Sequence, residues 1–429
     1  MSITSSFYTA LTGLSTHGIA MGVVGDNISN INTTGFKNSS PEFEDILGLS
    51  LSGVQGSNQT GAGTDIQSID VNYVQGTFET TEVPTDVAIN GRGFFVVKDP
   101  TTNEQSYTRA GHFQFNNQGY YVDTRGSRVQ GYLYDSVGTT LIENLSDIQI
   151  NQNSMIAPQV SNQVEMILNL DSSATAMTWD ITDPSGNSNY STPVTIYDTL
   201  GQSHVLQVYF SKTAANAWQW HALIANSDTA AGGTGYSLFG EGINAGSTLL
   251  EFDANGVLTS PPSAIPFHDQ TSNPITFANG VAATNSTVDF TDTTQYGASS
   301  TIQSIIQNGY AAGITSNVSI DDEGNIIANY TNGQVKKVAR LALSTFLNLN
   351  GLQRKGGTLY QETTKSGQPI TNKPGEGGMG TTSSSMLEES NVDLASEIIK
   401  MIVIQRGYQA NSKVISTTDE MLNTLINLR

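Results

Sequence analysis

The chain has five histidines and no cysteine, so the first question is whether any polar cluster could do chemistry. His17, His112, His204, His221 and His268 have no second histidine or carboxylate at the helical spacing of a metal pair, and no H-E-x-x-H occurs. Without cysteine there is no thiolate zinc site, thiol nucleophile or disulfide. Gly201-Gln-Ser203-His204-Val205 comes closest to a nucleophile elbow, but it lacks the second glycine and a following helix. Gly91-Arg-Gly93 lies in a strand-rich run and not at the strand-to-helix turn that cradles phosphate. Asp180, Asp183 and Asp198 could pair as acid and base, yet among 38 acidic residues chance proximity explains them. The expectation is no catalytic residue, no metal ion, no cofactor and no enzymatic activity.

The polar groups with regular spacing lie at the end of the chain. In the stretch 391–428, Leu394, Ile398, Met401, Tyr408, Ile415, Leu422 and Ile426 form an apolar helical stripe interrupted by Gln405, Ser412 and Asp419. Ser390 and Asn391 are placed to accept hydrogen bonds from the first turn, and Asp393 and Glu397 complement the helix dipole. A helix of this length spans roughly 50 Å, more than one compact domain needs. The chemistry its polar seats offer is hydrogen bonding to neighbours, since burying them without partners is costly.

The beginning has the same design. Phe7, Leu14, Met21 and Ile28 repeat every seven residues with Leu11, Gly18 and Gly25 between them, and glycines on a packed face suggest close approach of another backbone. Helices of this kind are marginal alone in water, so the simplest solution pairs the two ends as a coiled coil and packs them on other copies. A head-to-tail contact that does not close yields a helical filament.

Composition narrows the partners. The net charge of −20 argues against nucleic acid and anionic membranes. Only 13% of residues are charged, and Ser, Thr, Asn, Gln and Gly supply the surface polarity, as in exported β proteins. No cleavable secretory pattern opens the sequence and no run of 18 apolar residues occurs, so membrane insertion is not expected.

Between the ends the pattern is β. Phe115-Asn-Asn-Gln-Gly119, Phe252-Asp-Ala-Asn-Gly256 and Ile320-Asp-Asp-Glu-Gly324 each set an Asx/Gly turn between short alternating runs, predicting hairpins and not calcium loops. The fold class expected is multidomain and mainly β with long helical termini. Its nested parts are a helix over 1–32, an extended connecting segment over 33–75, and an inner β domain over 76–145. An outer β insert follows over 146–308, then the second half of the inner domain over 309–365, a linker over 366–387 and the final helix over 388–429.

Both ends resemble the bacterial flagellar rod and hook proteins. At the start the resemblance rests on Leu11-Thr-Gly-Leu14 and on Gly25-Asp-Asn27-Ile-Ser-Asn30-Ile-Asn-Thr-Thr-Gly35-Phe36-Lys37. At the end it rests on Ser390-Asn391-Val392-Asp393 and Gln405-Arg406-Gly-Tyr408. Inward, Asp86-Val-Ala-Ile89-Asn-Gly91-Arg-Gly-Phe94-Phe95 and Tyr107-Thr-Arg-Ala-Gly111 continue it. The sizeable insert favours the hook branch over the distal rod branch. The resemblance implies a self-assembling helical homopolymer forming a curved, flexible, torque-transmitting tube outside the cell. It also implies rod, hook–filament junction, cap and type III export proteins as partners, with Phe43 and Leu47 as a short export element. The competing reading is a surface glycan-binding β protein that would use Trp179, Trp218 and Trp220.

Overall fold

The computed structural model describes residues 3–53, 56–135, 138–150, 155–244 and 248–427. The chain divides into two compact units. A terminal unit holds Met1–Gln152, Ser316–Asn329 and Val335–Arg429; an inserted unit holds Asn153–Thr315 and Tyr330–Gln334. It is mainly β with a helix at each end, as expected.

Helix α1 spans Ile3–Ser29 and helix α2 spans Leu394–Asn427. Helix α1 is followed by a tight turn. Gly35 adopts φ +69°, its N–H donates to Glu388 O, and a Cβ there would meet Ala110 N at 2.5 Å. Only glycine satisfies both the backbone angle and the contact. The chain then runs into an antiparallel ribbon, β1 (Ser39–Gly53) with β2 (Gly56–Val71), paired from Ser39↔Val71 to Gly53↔Gly56. Much of the segment expected over 33–75 as an extended connection is therefore a paired ribbon. It folds because α1 packs against it: Thr64 N–H donates to Thr12 Oγ1 and the rings of Phe43 and His17 lie 5.7 Å apart. An isolated two-stranded ribbon would be marginal without that cover.

The sheet of the terminal unit is built from both halves of its sequence. Strand Val335–Leu341 pairs with Arg128–Tyr134, which pairs with Phe94–Lys98, which pairs with Gln105–Thr108 and, at Leu343–Thr345, with the returning chain. Its core packs Val87, Ile89, Phe95, Phe113, Tyr121 and Leu341. In the inserted unit, a four-stranded sheet around Gln163–Asn169 and a six-stranded sheet around Ser203–Ala214 and Ala217–Ala225 share one core. Trp218 and Trp220 are fully buried there, donating to Gln295 Oε1 and Thr248 O. Neither is available to a glycan-binding face, because the strand's alternation points both indoles inward; Trp179 lies half-buried against His221. The three Asx/Gly segments are turns, with Gly119, Gly256 and Gly324 N–H donating to Asn116, Asp253 and Asp321 carbonyls.

Candidate functional site

The termini meet as an antiparallel helix pair in which Gly13 faces Asn411, His17 faces Gly407 and Asn27 faces Glu397. The buried face of α1 is Ala10, Gly13, Thr16, Ala20, Val24 and Asn27. A Cβ on Gly13 would come within 2.8 Å of Asn411 Nδ2, and one on Gly407 within 2.8 Å of the His17 ring. Small residues fill this seam because the helices lie close.

This corrects the expected stripe. Gly18 and Gly25 have nothing within 4 Å of a Cβ position, so within one chain they permit no close approach. Phe7, Leu14, Met21 and Ile28 are half-buried flanks and Leu11 is exposed, the true seam lying one residue back. On α2, Met401 and Ile415 are half-buried, whereas Tyr408 and Leu422 are exposed. The heptad position between them also moves one residue back, from 405, 412 and 419 to Ile404, Asn411 and Thr418. Gln405, Ser412 and Asp419 point outward with Leu394 and Ile398, and the side chain of Ile426 lies outside the described residues. Apolar bulk alone favours the larger residues in the seam, whereas the helices approach through the smaller ones.

Where the helix pair meets the inner sheet, a buried polar joint forms. Glu388 accepts from Lys37 Nζ, from Arg109 Nη1 at 3.1 Å and from Gly76 N–H at 2.9 Å; Lys37 Nζ also donates to Val74 O at 2.9 Å. Arg109 Nη2 donates to Gly91 O, and Arg354 donates to Lys37 O with its guanidinium over Phe36. Asn27 clamps Ser39 through both backbone groups and donates to Glu397, which Lys400 also reaches. Asn391 accepts from Asn38 N–H and donates to Asn72 O and Val74 O. Asn30 bonds Asp26 and Thr33. The residues Asn27, Asn30, Gly35, Phe36, Lys37 and Asn391, quoted for their resemblance, thus lie in or beside one joint with buried Val392, while Arg406 stands exposed on α2. The cap of α2 is Asp393, whose carboxylate accepts from Ser396 N–H; Ser390 Oγ instead accepts from Val392 N–H, and Asn391 is committed to the joint.

Lys37 and Glu388 are wholly inaccessible to solvent. Burial pushes the Lys37 ammonium below its ordinary range, and Glu388 beside it offsets this only in part; Arg109 is lowered for the same reason. Breaking such a group strands a charge. Glu388 and Arg109 were missed as a pair, and Glu397 was read only as a dipole complement although it is 1% exposed. Their signal was present, since ionisable residues beside the resembling motifs stand out in a chain so poor in charge.

The other polar clusters are built as packing. His204 lies with Nδ1 2.9 Å from Asp228 and its ring stacked on Phe277; His268 contacts Phe239 O, and His112 contacts Asp86. His221, stacked under Trp179 at 4.1 Å, is pushed down by burial to about 4. Among the described residues no three His, Asp or Glu side chains group to hold a metal. Phe43 and Leu47 are exposed on β1.

Four family patterns cover most of the chain: the flagella basal body rod protein at residues 7–37, the flagellar hook protein FlgE/F/G D1 domain at 88–159, the flagellar basal body protein FlaE D2 domain at 168–310, and the flagellar basal body rod FlgEFG protein C-terminal at 383–428. With paired terminal helices joined to nested β units, they define an axial structural protein of the flagellum. Among its relatives are the flagellar hook proteins FlgE of Treponema pallidum (strain Nichols), 32% identical over 99% of both chains, and of Escherichia coli (strain K12), 31% identical over 99% of this chain and 100% of that one. A crystal structure of the Helicobacter pylori flagellar hook protein FlgE2 is similar at a TM-score of 0.49, with 16% identity over 71% of this chain and 98% of that one. The chain belongs to the flagellar hook protein family and is a structural subunit of the hook.

Proposed function

We propose that α1 and α2 together form one stave of a tube made of many copies. The observation that carries this reading is the exposure of large apolar side chains on both helices. Ile19 is 47% exposed on α1, and Ile399 and Val403 are 63% and 64% exposed on α2, while small and polar residues fill the seam within the chain. A face of that kind is covered when copies pack side by side. Leu11, Leu394, Ile398 and Tyr408 then contact lateral neighbours, and Gln405, Ser412 and Asp419 hydrogen-bond to them or line a wet bore. The β units lie outside the tube and slide as it bends, giving a curved, flexible joint that transmits torque between rod and filament.

The subunit acts by assembly and not by catalysis, and works outside the cell. Its partners are further copies, the rod and hook–filament junction proteins, the cap and the export apparatus. Phe43 and Leu47, exposed on β1, serve as a short export element in the unfolded chain. Electron microscopy of the purified chain under polymerising conditions tests the reading: a curved tube is expected, and a straight rod or a persistent monomer would overturn it.

A further inference from the structure

Beside the joint, and sharing Arg109 and the backbone of Asn72, Val74 and Gly91 with it, the terminal unit holds a groove of about 670 Å³. Its floor is aromatic: Phe94 and Phe346 are buried, and Tyr73 stands edge-on to Phe94 while donating to Leu349 O. At its lip Leu347 is 91% exposed and Val74 is 64% exposed. Leu347 is held out by construction. Phe346 anchors the backbone on one side, and on the other Asn348 N–H donates to Ser366 O while its side chain donates to Lys365 O. Exposed leucines scattered singly need no explanation, but one fixed on a tied loop over a groove with an aromatic floor has already lost the freedom that binding would cost it.

The third wall carries Arg92, exposed between Gly91 and Gly93, with no ion pair or hydrogen bond to its guanidinium among the described residues. The chain carries 38 acidic against 18 basic residues, so the surface a second copy presents is on balance acidic and suits a free guanidinium.

We infer that this groove is a subunit–subunit contact in which a second copy of the chain covers Leu347 and Val74 and brings a carboxylate to Arg92. The inference rests on the assembly reading above, but it places a contact in the β part of the terminal unit, away from the helices. Leu347 is the central anchor and Arg92 sets register.

The absence of native cysteine makes the test direct. Leu347→Cys in the full chain provides a single thiol, whose maleimide labelling rate is compared between dilute monomer and assembled polymer. The expected result is labelling slowed about tenfold or more in the polymer, together with an onset concentration for assembly raised about tenfold in Leu347→Ser and Arg92→Glu at unchanged monomer melting temperature. Equal labelling in both forms, or variants that assemble as the parent does, would overturn the contact and leave the helical tube standing. Failure of the parent chain to assemble at all would instead overturn the assembly reading on which it rests.

Discussion

In the inserted unit Trp218, Trp220, Phe267 and Phe290 are sealed from solvent, whereas on the terminal helices Tyr8, Ile399 and Val403 keep about two thirds of their surface in water. The first region has a core of its own and gains its stability within one chain. The second has a seam of alanine, glycine, threonine and asparagine, which buries little apolar area, and carries its large side chains on the flanks. On the proposed assembly, chain folding and chain association fall to different residues. A substitution should disturb one without the other.

Removing residues 3–29 makes the largest break. Assembly is expected to be lost at every concentration at which the full chain polymerises, with the far-ultraviolet β signal of the sheets kept and only that of the β1–β2 ribbon lost; sedimentation and circular dichroism check both, and residual polymer would erase the distinction. Trp220→Ala should cost the inserted unit about 3–5 kcal/mol in urea unfolding by opening a cavity, with assembly at saturating concentration retained. Glu388→Gln should cost the terminal unit a similar amount, about 3–5 kcal/mol, because Lys37 and Arg109 stay buried without their anion. A differential loss confined to one transition in each case would sharpen the contrast.

Acid offers a smaller lever on the inserted unit through His221. His221 is held near 4 by burial, below its ordinary value, so its contribution is fully present above about pH 6.5 and is lost as pH falls through 4. The expected loss is about 3 kcal/mol from that residue, at 1.36 kcal/mol per pKa unit. Glu241, pushed up by burial, opposes part of it near its own titration. His221→Phe should flatten the acid limb of the melting curve, and an unchanged curve would remove His221 from the account. The smallest effect is expected at Gly18. With no atom within 4 Å of a Cβ, Gly18→Ala should stabilise the monomeric helix by about 0.5–1 kcal/mol, read as helicity, and a loss would mean that Gly18 sits in a seam after all.

Much of the fold was legible because it rests on periodicity. Seven-residue recurrence marked both helices, and the Asx/Gly turns at Gly119, Gly256 and Gly324 were read from their own side chains. The rotation of the helices was not legible, because a periodic stripe two positions wide does not say which edge a partner takes. Hydropathy favoured Leu11 over Ala10 and Met21 over Ala20, while close approach favoured the reverse. The joint was half legible: Asn27, Lys37 and Asn391 stood in resembling motifs, but Lys37 and Glu388 are 351 positions apart, and no local rule links residues across such a separation.

That separation has a consequence for the order in which the terminal unit can close. Lys37 and Arg109 arrive early in the sequence as cations that must be buried, and their counter-charge arrives only at residue 388. A chain broken anywhere short of that point has no way to close the terminal unit, however well its inserted unit folds. The joint therefore ties the completion of the terminal unit to residue 388: a chain ending before it leaves Lys37 and Arg109 without their counter-charge.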